Sequence, residues 1–131
     1  MRSRLSWIIT PISLLGVLPS SSSGIIVVEI LDVAVGFPRG MAVDSLANVY
    51  VSGSLSDTVV KVAPDGTITP VLTISGDGRH LLEFPDALAV DSSDNLFVAG
   101  CDSDNVFKVT PSGTITVIIN ADGDGLGNFL E

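Results

Sequence analysis

From residue 37 onward, short apolar runs of four to six residues alternate with clusters of Pro, Gly, Asp, Asn and Ser. This is the pattern of a meander of short strands joined by tight turns. In the first stretch the runs predict strands over residues 39 to 43, 48 to 52, 58 to 63 and 67 to 73. Asp44 through Asn48 has Asx-turn chemistry, in which a short carboxylate bonds the backbone two residues on, and Pro64-Asp65-Gly66 has the composition of a Pro/Gly turn. Strict polar/apolar alternation is missing, because Met41-Ala42-Val43 and Leu96-Phe97-Val98-Ala99 are apolar on both faces. Each sheet is therefore expected to lie between two neighbours.

The whole pattern then repeats about 47 residues later. Phe37-Pro38-Arg39-Gly40-Met41-Ala42-Val43-Asp44 aligns without a gap to Phe84-Pro85-Asp86-Ala87-Leu88-Ala89-Val90-Asp91. The match runs on through Asn48/Asn95, Asp57/Asp104, Lys61/Lys108, Pro64/Pro111, Gly66-Thr67-Ile68-Thr69 against Gly113-Thr114-Ile115-Thr116, and Gly76-Asp77-Gly78 against Gly123-Asp124-Gly125. Nearly half the positions are identical, against a chance level of about one in fifteen, so the two halves are a duplication. The fold class expected is all-β: tandem four-stranded antiparallel propeller blades, with residues 37–83 and 84–131 as the two copies. Val43, Val51, Val62, Val90, Val98 and Val109 are the expected core.

In these residues the chain resembles the NHL-repeat family of β-propellers, whose blades read Pro-x-Gly-[Ile/Met]-Ala-Val-Asp, then Asn-[Val/Leu]-[Tyr/Phe]-Val, then a Lys-bearing third strand. Both copies carry the pattern, and Ala87 departs from it where the family has Gly. The resemblance implies a propeller fold. It does not imply one chemistry, because related propellers include binding scaffolds, RNA-binding modules, metal-dependent lactonases and lyases.

The ends are read in the same frame. Residues 24 to 31 resemble the last strand of a blade, so residues 21–36 are expected to form one strand of a preceding blade and its connection. Phe129-Leu130-Glu131 resembles the Leu81-Leu82-Glu83 that precedes the second copy, so a third blade is expected to start there. Propellers close with about 4 to 8 blades and this chain holds about two and a quarter, so a piece of a longer propeller is expected, with assembly of several chains as the other route to closure. Residues 1–20 differ from the rest. Arg2 and Arg4 precede an apolar stretch from Leu5 to Leu18, about 14 residues long, which suits a secretory signal and falls short of the roughly 20 a membrane span needs. That stretch is expected to be helical and unattached to the blades, and a secreted, periplasmic or extracellular location follows.

Charge narrows the partners. With 15 acidic and 6 basic residues the net charge is −9, and removal of residues 1–20 takes it to about −11. Such a surface repels phosphate backbones and anionic headgroups, which excludes nucleic acid and any membrane contact beyond the N-terminal segment. A single cysteine, Cys101, excludes an intrachain disulfide and a Cys-pair metal site.

In a meander the connections between strands two and three, and between blades, emerge on one side. That side collects Arg39, Asp57, Arg79, His80, Glu83, Asp86, Asp102 and Asp104 as candidates to face a protein or small-molecule ligand. Arg39 and Asp86, just after each Phe-Pro, are expected to look into the central channel, where the resemblance to propeller lactonases puts metal-binding carboxylates. Asp86 is the one match. Asp122 and Asp124 could join a weak Ca2+ or other divalent cation site, but the loop lacks the spaced third acid and the terminal bidentate Glu of a calcium loop. No cofactor is expected. The sole histidine, His80, excludes a two-histidine relay, and neither a Gly-x-Ser-x-Gly elbow nor a phosphate loop occurs, so no catalytic residue is assigned.

The sequence therefore favours a non-enzymatic binding or structural module over the alternative, a slice of a secreted lactonase-like or lyase-like enzyme. The export expectation has its own check: mass spectrometry of the secreted product should find an N-terminus beyond residue 20. An intact Met1 on that product would count against cleavage.

Overall fold

A computed structural model describes residues 35–124. The expectations for residues 1–20, for a strand at 24 to 31 and for Phe129-Leu130-Glu131 lie outside the described residues. Within them are two antiparallel sheets of four strands each, every strand bonded to the next in sequence. Blade 1 consists of β1 (Pro38–Val43), β2 (Val49–Gly53), β3 (Thr58–Val62) and β4 (Ile68–Leu72). Blade 2 consists of β5 (Pro85–Val90), β6 (Leu96–Gly100), β7 (Asn105–Val109) and β8 (Ile115–Ile119). The chain is thus all-β over its described length, in tandem blades of propeller type, and each strand lies within a residue or so of its sequence-based limits.

The registers show that the duplication is structural as well as chemical. Val51 faces Val60 across β2 and β3, and Val98 faces Phe107 across β6 and β7. Each copy bulges at the same two places, near the start of its first strand and between strands three and four. The turns repeat as well. Asp44 accepts the backbone N–H groups of Leu46 (3.0 Å) and Asn48 (2.9 Å), and Asp91 accepts those of Ser93 and Asn95 (2.9 Å each). These carboxylates hold the turn backbone that no strand partner satisfies. At the opposite end of the strands, Phe37, Asp57, Phe84 and Asp104 all take the left-handed conformation, with φ of 58°, 48°, 50° and 47°. For a phenylalanine this is an uncommon, strained conformation, held here by the backbone bonds that Ser54 and Cys101 donate to the Phe37 and Phe84 carbonyls.

The core is the joint between the blades. Tyr50, Val59 and Leu72 from blade 1 and Leu96, Val98, Phe107 and Val109 from blade 2 form one buried cluster, capped by Leu82 from the connection between them. A second, smaller cluster joins Val51, Val60 and Val62 to Val35 on the other face of blade 1. The two faces of blade 1 are thus buried in different clusters, as expected of a sheet with a neighbour on each side.

Of the six valines expected in the core, Val51, Val62, Val98 and Val109 are buried, while Val90 is half-buried against the interblade cluster. Val43 is a correction: it is 53% exposed. It ends β1 on the face turned away from blade 2, level with Met41, so its equivalence to Val90 in sequence does not bring a neighbouring blade with it. Phe107 and Val43 should therefore respond oppositely to truncation. Phe107→Ala, at a fully buried position, should destabilise the chain by about 3–5 kcal/mol, whereas Val43→Ala should cost well under about 1 kcal/mol. Urea unfolding of both variants checks this, and equal losses would contradict the assignment of the core.

Candidate functional site

The connections β2–β3, β4–β5 and β6–β7 come out on one side, and backbone bonds tie them together. Leu55 donates to the Gly36 carbonyl, Cys101 to that of Phe84 and Asp102 to that of Glu83. This side gathers the residues singled out in the sequence, and three of them, Arg39, Asp57 and Asp86, hold one blade to the other.

Asp57, half-buried in the β2–β3 turn, accepts the backbone N–H of Phe84 at 2.8 Å and so pins the start of blade 2 to blade 1. Arg39 and Asp86, at the starts of the two inner strands, meet each other: the guanidinium lies 3.7 Å from the Asp86 carboxylate and 5.0 Å and 5.6 Å from the Phe84 and Phe37 ring centres. The one carboxylate that sequence reasoning placed toward the channel is therefore matched with a cation of the same chain. Both groups stay about half exposed, so the pair is a weak, screened one, and the Arg39 stacking on aromatic rings fixes the side chain more firmly than the charge does.

The remaining candidates border an open groove of about 370 Å³ between the β4–β5 connection and the upper loops of blade 2, lined by His80, Glu83, Asp102, Asp104 and Asp122. An adjoining depression of about 460 Å³ includes Arg79, Asp122 and Asp124. Glu83 contributes mainly through its backbone, its N–H donating to the Ser103 hydroxyl at 3.1 Å. Asp122 donates its N–H to the Asn120 side-chain oxygen at 2.9 Å. Among the described residues no three of His, Cys, Asp and Glu come together in an arrangement that could hold a metal ion, and Asp86 lies with Arg39 rather than with Asp122 or Asp124.

Sequence reasoning missed two constellations. The first is Asp77 with His80. One Asp77 oxygen accepts the backbone N–H groups of His80 (2.8 Å) and Arg79 (2.9 Å), and the carboxylate lies 3.2 Å from His80 Nδ1. The His80 N–H first, then the Arg79 N–H and the His80 ring, outweigh partial burial and hold the Asp77 carboxyl down to about 2. A donated Nδ1–H bond would leave Nε2 as the acceptor, an acid/base-capable arrangement standing alone beside the groove. The Asp-x-x-His spacing was the available signal. The second is an interblade clamp in which Ser45 donates its N–H and hydroxyl to the two Asp94 oxygens at 2.9 Å and 2.6 Å. No sequence signal joins positions 49 residues apart.

On the opposite side Tyr50 donates its hydroxyl to Asp44 at 3.0 Å, and burial, then this bond, push the phenol up to about 12. Burial works against the Asp44 carboxylate, yet the bonds from Asn48, Tyr50 and Leu46 prevail and lower it.

No protein-family model matches the chain, and no curated protein matches it. Among solved structures, the selenomethionine-substituted virginiamycin B lyase from Staphylococcus aureus superposes with a TM-score of 0.52 at 17% identity, over 63% of this chain and 26% of that one. A streptogramin B lyase superposes with a TM-score of 0.51 at 18% identity, over 61% of this chain and 25% of that one. A gluconolactonase from Xanthomonas campestris does so with a TM-score of 0.52 at 17% identity, over 65% of this chain and 27% of that one. The chain spans about a quarter of the length of these propeller-type proteins, and at this identity the likeness is one of fold.

The Asp77 site carries a pH signature. Its carboxyl is depressed from 3.8 to about 2, so the stability it contributes is present above pH 3.8 and is lost as pH falls through about 2. Asp77→Asn retains an oxygen acceptor without the charge. The gap in urea midpoint between wild type and this variant should be full at neutral pH and close between about pH 4 and 2. A gap that is constant across that range would show the charge to be idle.

Proposed function

We propose that the chain is a non-enzymatic NHL-type β-propeller repeat module of a larger secreted protein or assembly, whose upper loops receive a protein or small-molecule ligand and whose sheet faces receive further blades. The observation that carries this reading is the use to which the polar groups are put. Asp44, Asp57, Asp91 and Asp94 each hold backbone N–H groups of a turn or of the neighbouring blade, and Asp86 is matched by Arg39. A catalytic metal needs three or more protein ligands, and the described residues bring no such set together.

A second reading, a slice of a secreted lactonase-like or lyase-like metal-dependent enzyme, is favoured by one specific observation: the similar structures carry the names of lyases and a gluconolactonase. The same loop side would then hold the chemistry, with Asp86 and the groove at His80 as its contribution.

The two readings part in a turnover assay on the longest form that expressing cells export. That form, supplied with Mg2+, Ca2+ or Zn2+ and offered simple lactones or a streptogramin B depsipeptide, should show no turnover above background. Metal-dependent turnover that is abolished by chelation would overturn the module reading in favour of the enzyme.

A further inference from the structure

Blade 2 seats on blade 1 through a joint with a definite chemistry, and the receiving half of that joint and the inner-strand part of its inserting half recur, exposed, on the outward faces of the described pair. On the inner strands the joint sets small residues against large ones. Gly40 on the forward face of β1, with Ala42 two residues on, receives Leu88, and Leu88 and Val90 of β5 pack against the interblade cluster; a Cβ on Gly40 would lie 2.6 Å from the Asp86 carbonyl oxygen and 3.2 Å from Leu88 Cγ. Three polar contacts fix the register: the Phe84 N–H on Asp57, the Ser45 N–H and hydroxyl on Asp94, and Arg39 beside Asp86.

The forward face of blade 2 offers the receiving half again. Ala87 and Ala89 are exposed on β5, beside the half-buried Phe97, Ala99, Val106 and Ile119, where the matching Tyr50, Val59 and Leu72 of blade 1 are covered. Asp104, exposed, has the same left-handed backbone as Asp57, with φ of 47° against 48°. The rear face of blade 1 offers the inserting half. Its centre is closed by Val35, Val51, Val60 and Val62, but Met41 and Val43 on β1 stand 69% and 53% exposed, where their counterparts Leu88 and Val90 are packed. Phe37, at φ 58°, has the conformation in which the Phe84 N–H reaches Asp57.

Resting on the module reading above, we propose that the chain associates head to tail with further copies of itself, the β1 face of one copy seating on the β5 face of the next. The Asp104 carboxylate then receives the Phe37 N–H of the incoming copy, Ala87 and Ala89 receive its Met41 and Val43, and Asp86 meets its Arg39. Each Arg39 lies between two Asp86 carboxylates, so the inner rim alternates in charge, and the local match offsets the mutual repulsion of chains of net charge −9. A head-to-tail contact of this kind forms a ring if its rotation closes, and two to four copies give the roughly 4 to 8 blades with which propellers close.

Two departures from the internal joint make this one weaker and give it a handle. Ala87 stands where blade 1 has Gly40, so its Cβ occupies the space in which the neighbouring backbone approaches. Ala47, at φ 61°, stands where blade 2 has Asp94, at φ 60°, so the incoming copy brings no carboxylate to Ser92.

Sedimentation velocity and native mass spectrometry of the full chain should show discrete oligomers of two to four copies that grow with concentration. Asp104→Gly should weaken association about tenfold without moving the thermal midpoint of the dilute chain downward through backbone strain, because glycine accepts the φ of 47° and the internal joint uses Asp57 instead. Ala87→Gly and Ala47→Asp should each tighten it about tenfold, the latter only while Ser92 is present to donate. A chain that stays monomeric at tens of micromolar even with Ala87→Gly and Ala47→Asp combined would overturn the proposal. Association indifferent to all three substitutions would overturn it equally, since contact would then run through some other surface. Either failure leaves the module reading standing with other blades as partners, whereas metal-dependent turnover removes that reading without touching the oligomer result.

Discussion

Everything above the level of the single sheet depends on how closely the second blade can approach the first, and Gly40 sets that distance. With no Cβ at this position the backbone of β5 comes in until the Asp86 carbonyl oxygen lies within 2.6 Å of where a Cβ would be. The closeness drops Leu88 into the space beside Gly40 and brings Leu96, Val98 and Phe107 onto Tyr50, Val59 and Leu72. The larger of the two buried clusters lies in this joint, and burial of that kind is the main favourable term in folding. The polar contacts then choose one register among those that greasy faces would tolerate.

The same constraint explains why the upper loops look rich in chemistry yet show little of it. A blade joined to its neighbour by side-chain-to-backbone bonds needs carboxylates and hydroxyls where the loops cross: Asp57 bonds the start of the next blade, and Ser56 and Ser103 bond the segments that lead into their own blades. Gly100 illustrates how tightly the crossing is built: a Cβ there would collide with the Ser103 hydroxyl and press on the Glu83 carbonyl oxygen. Polar density at a propeller loop face is therefore partly a consequence of blade joining. What distinguishes the groove at His80 is that Asp77 orients a ring there that no joint requires.

The repeat, the strand limits and the turns were legible in the sequence because each rests on interactions between near neighbours. Asp44 and Asp91 bond residues two and four positions on, and the Pro-Asp-Gly and Pro-Ser-Gly turns place Gly66 and Gly113 at φ 86° and 87°. Half of the candidate site was legible for the same reason, since topology alone sends Asp57, Glu83, Asp102 and Asp104 to one side. The pairing of Arg39 with Asp86, the Ser45–Asp94 clamp and the exposure of Val43 were not, because each depends on what lies across a gap of about one blade.

By itself, then, the sequence determined a duplicated β-meander, its turns and the side on which its polar loops gather, all consequences of local hydrogen bonding and of a period that repeats. The tertiary structure alone decided which of two chemically equivalent faces is covered. Val43 and Val90 occupy the same place in the repeat, yet one is open and the other packed, because among the described residues only Val90 has a blade beside it. Burial is a property of the neighbour as much as of the residue, and a repeat sequence writes the same residue whether or not the neighbour is there.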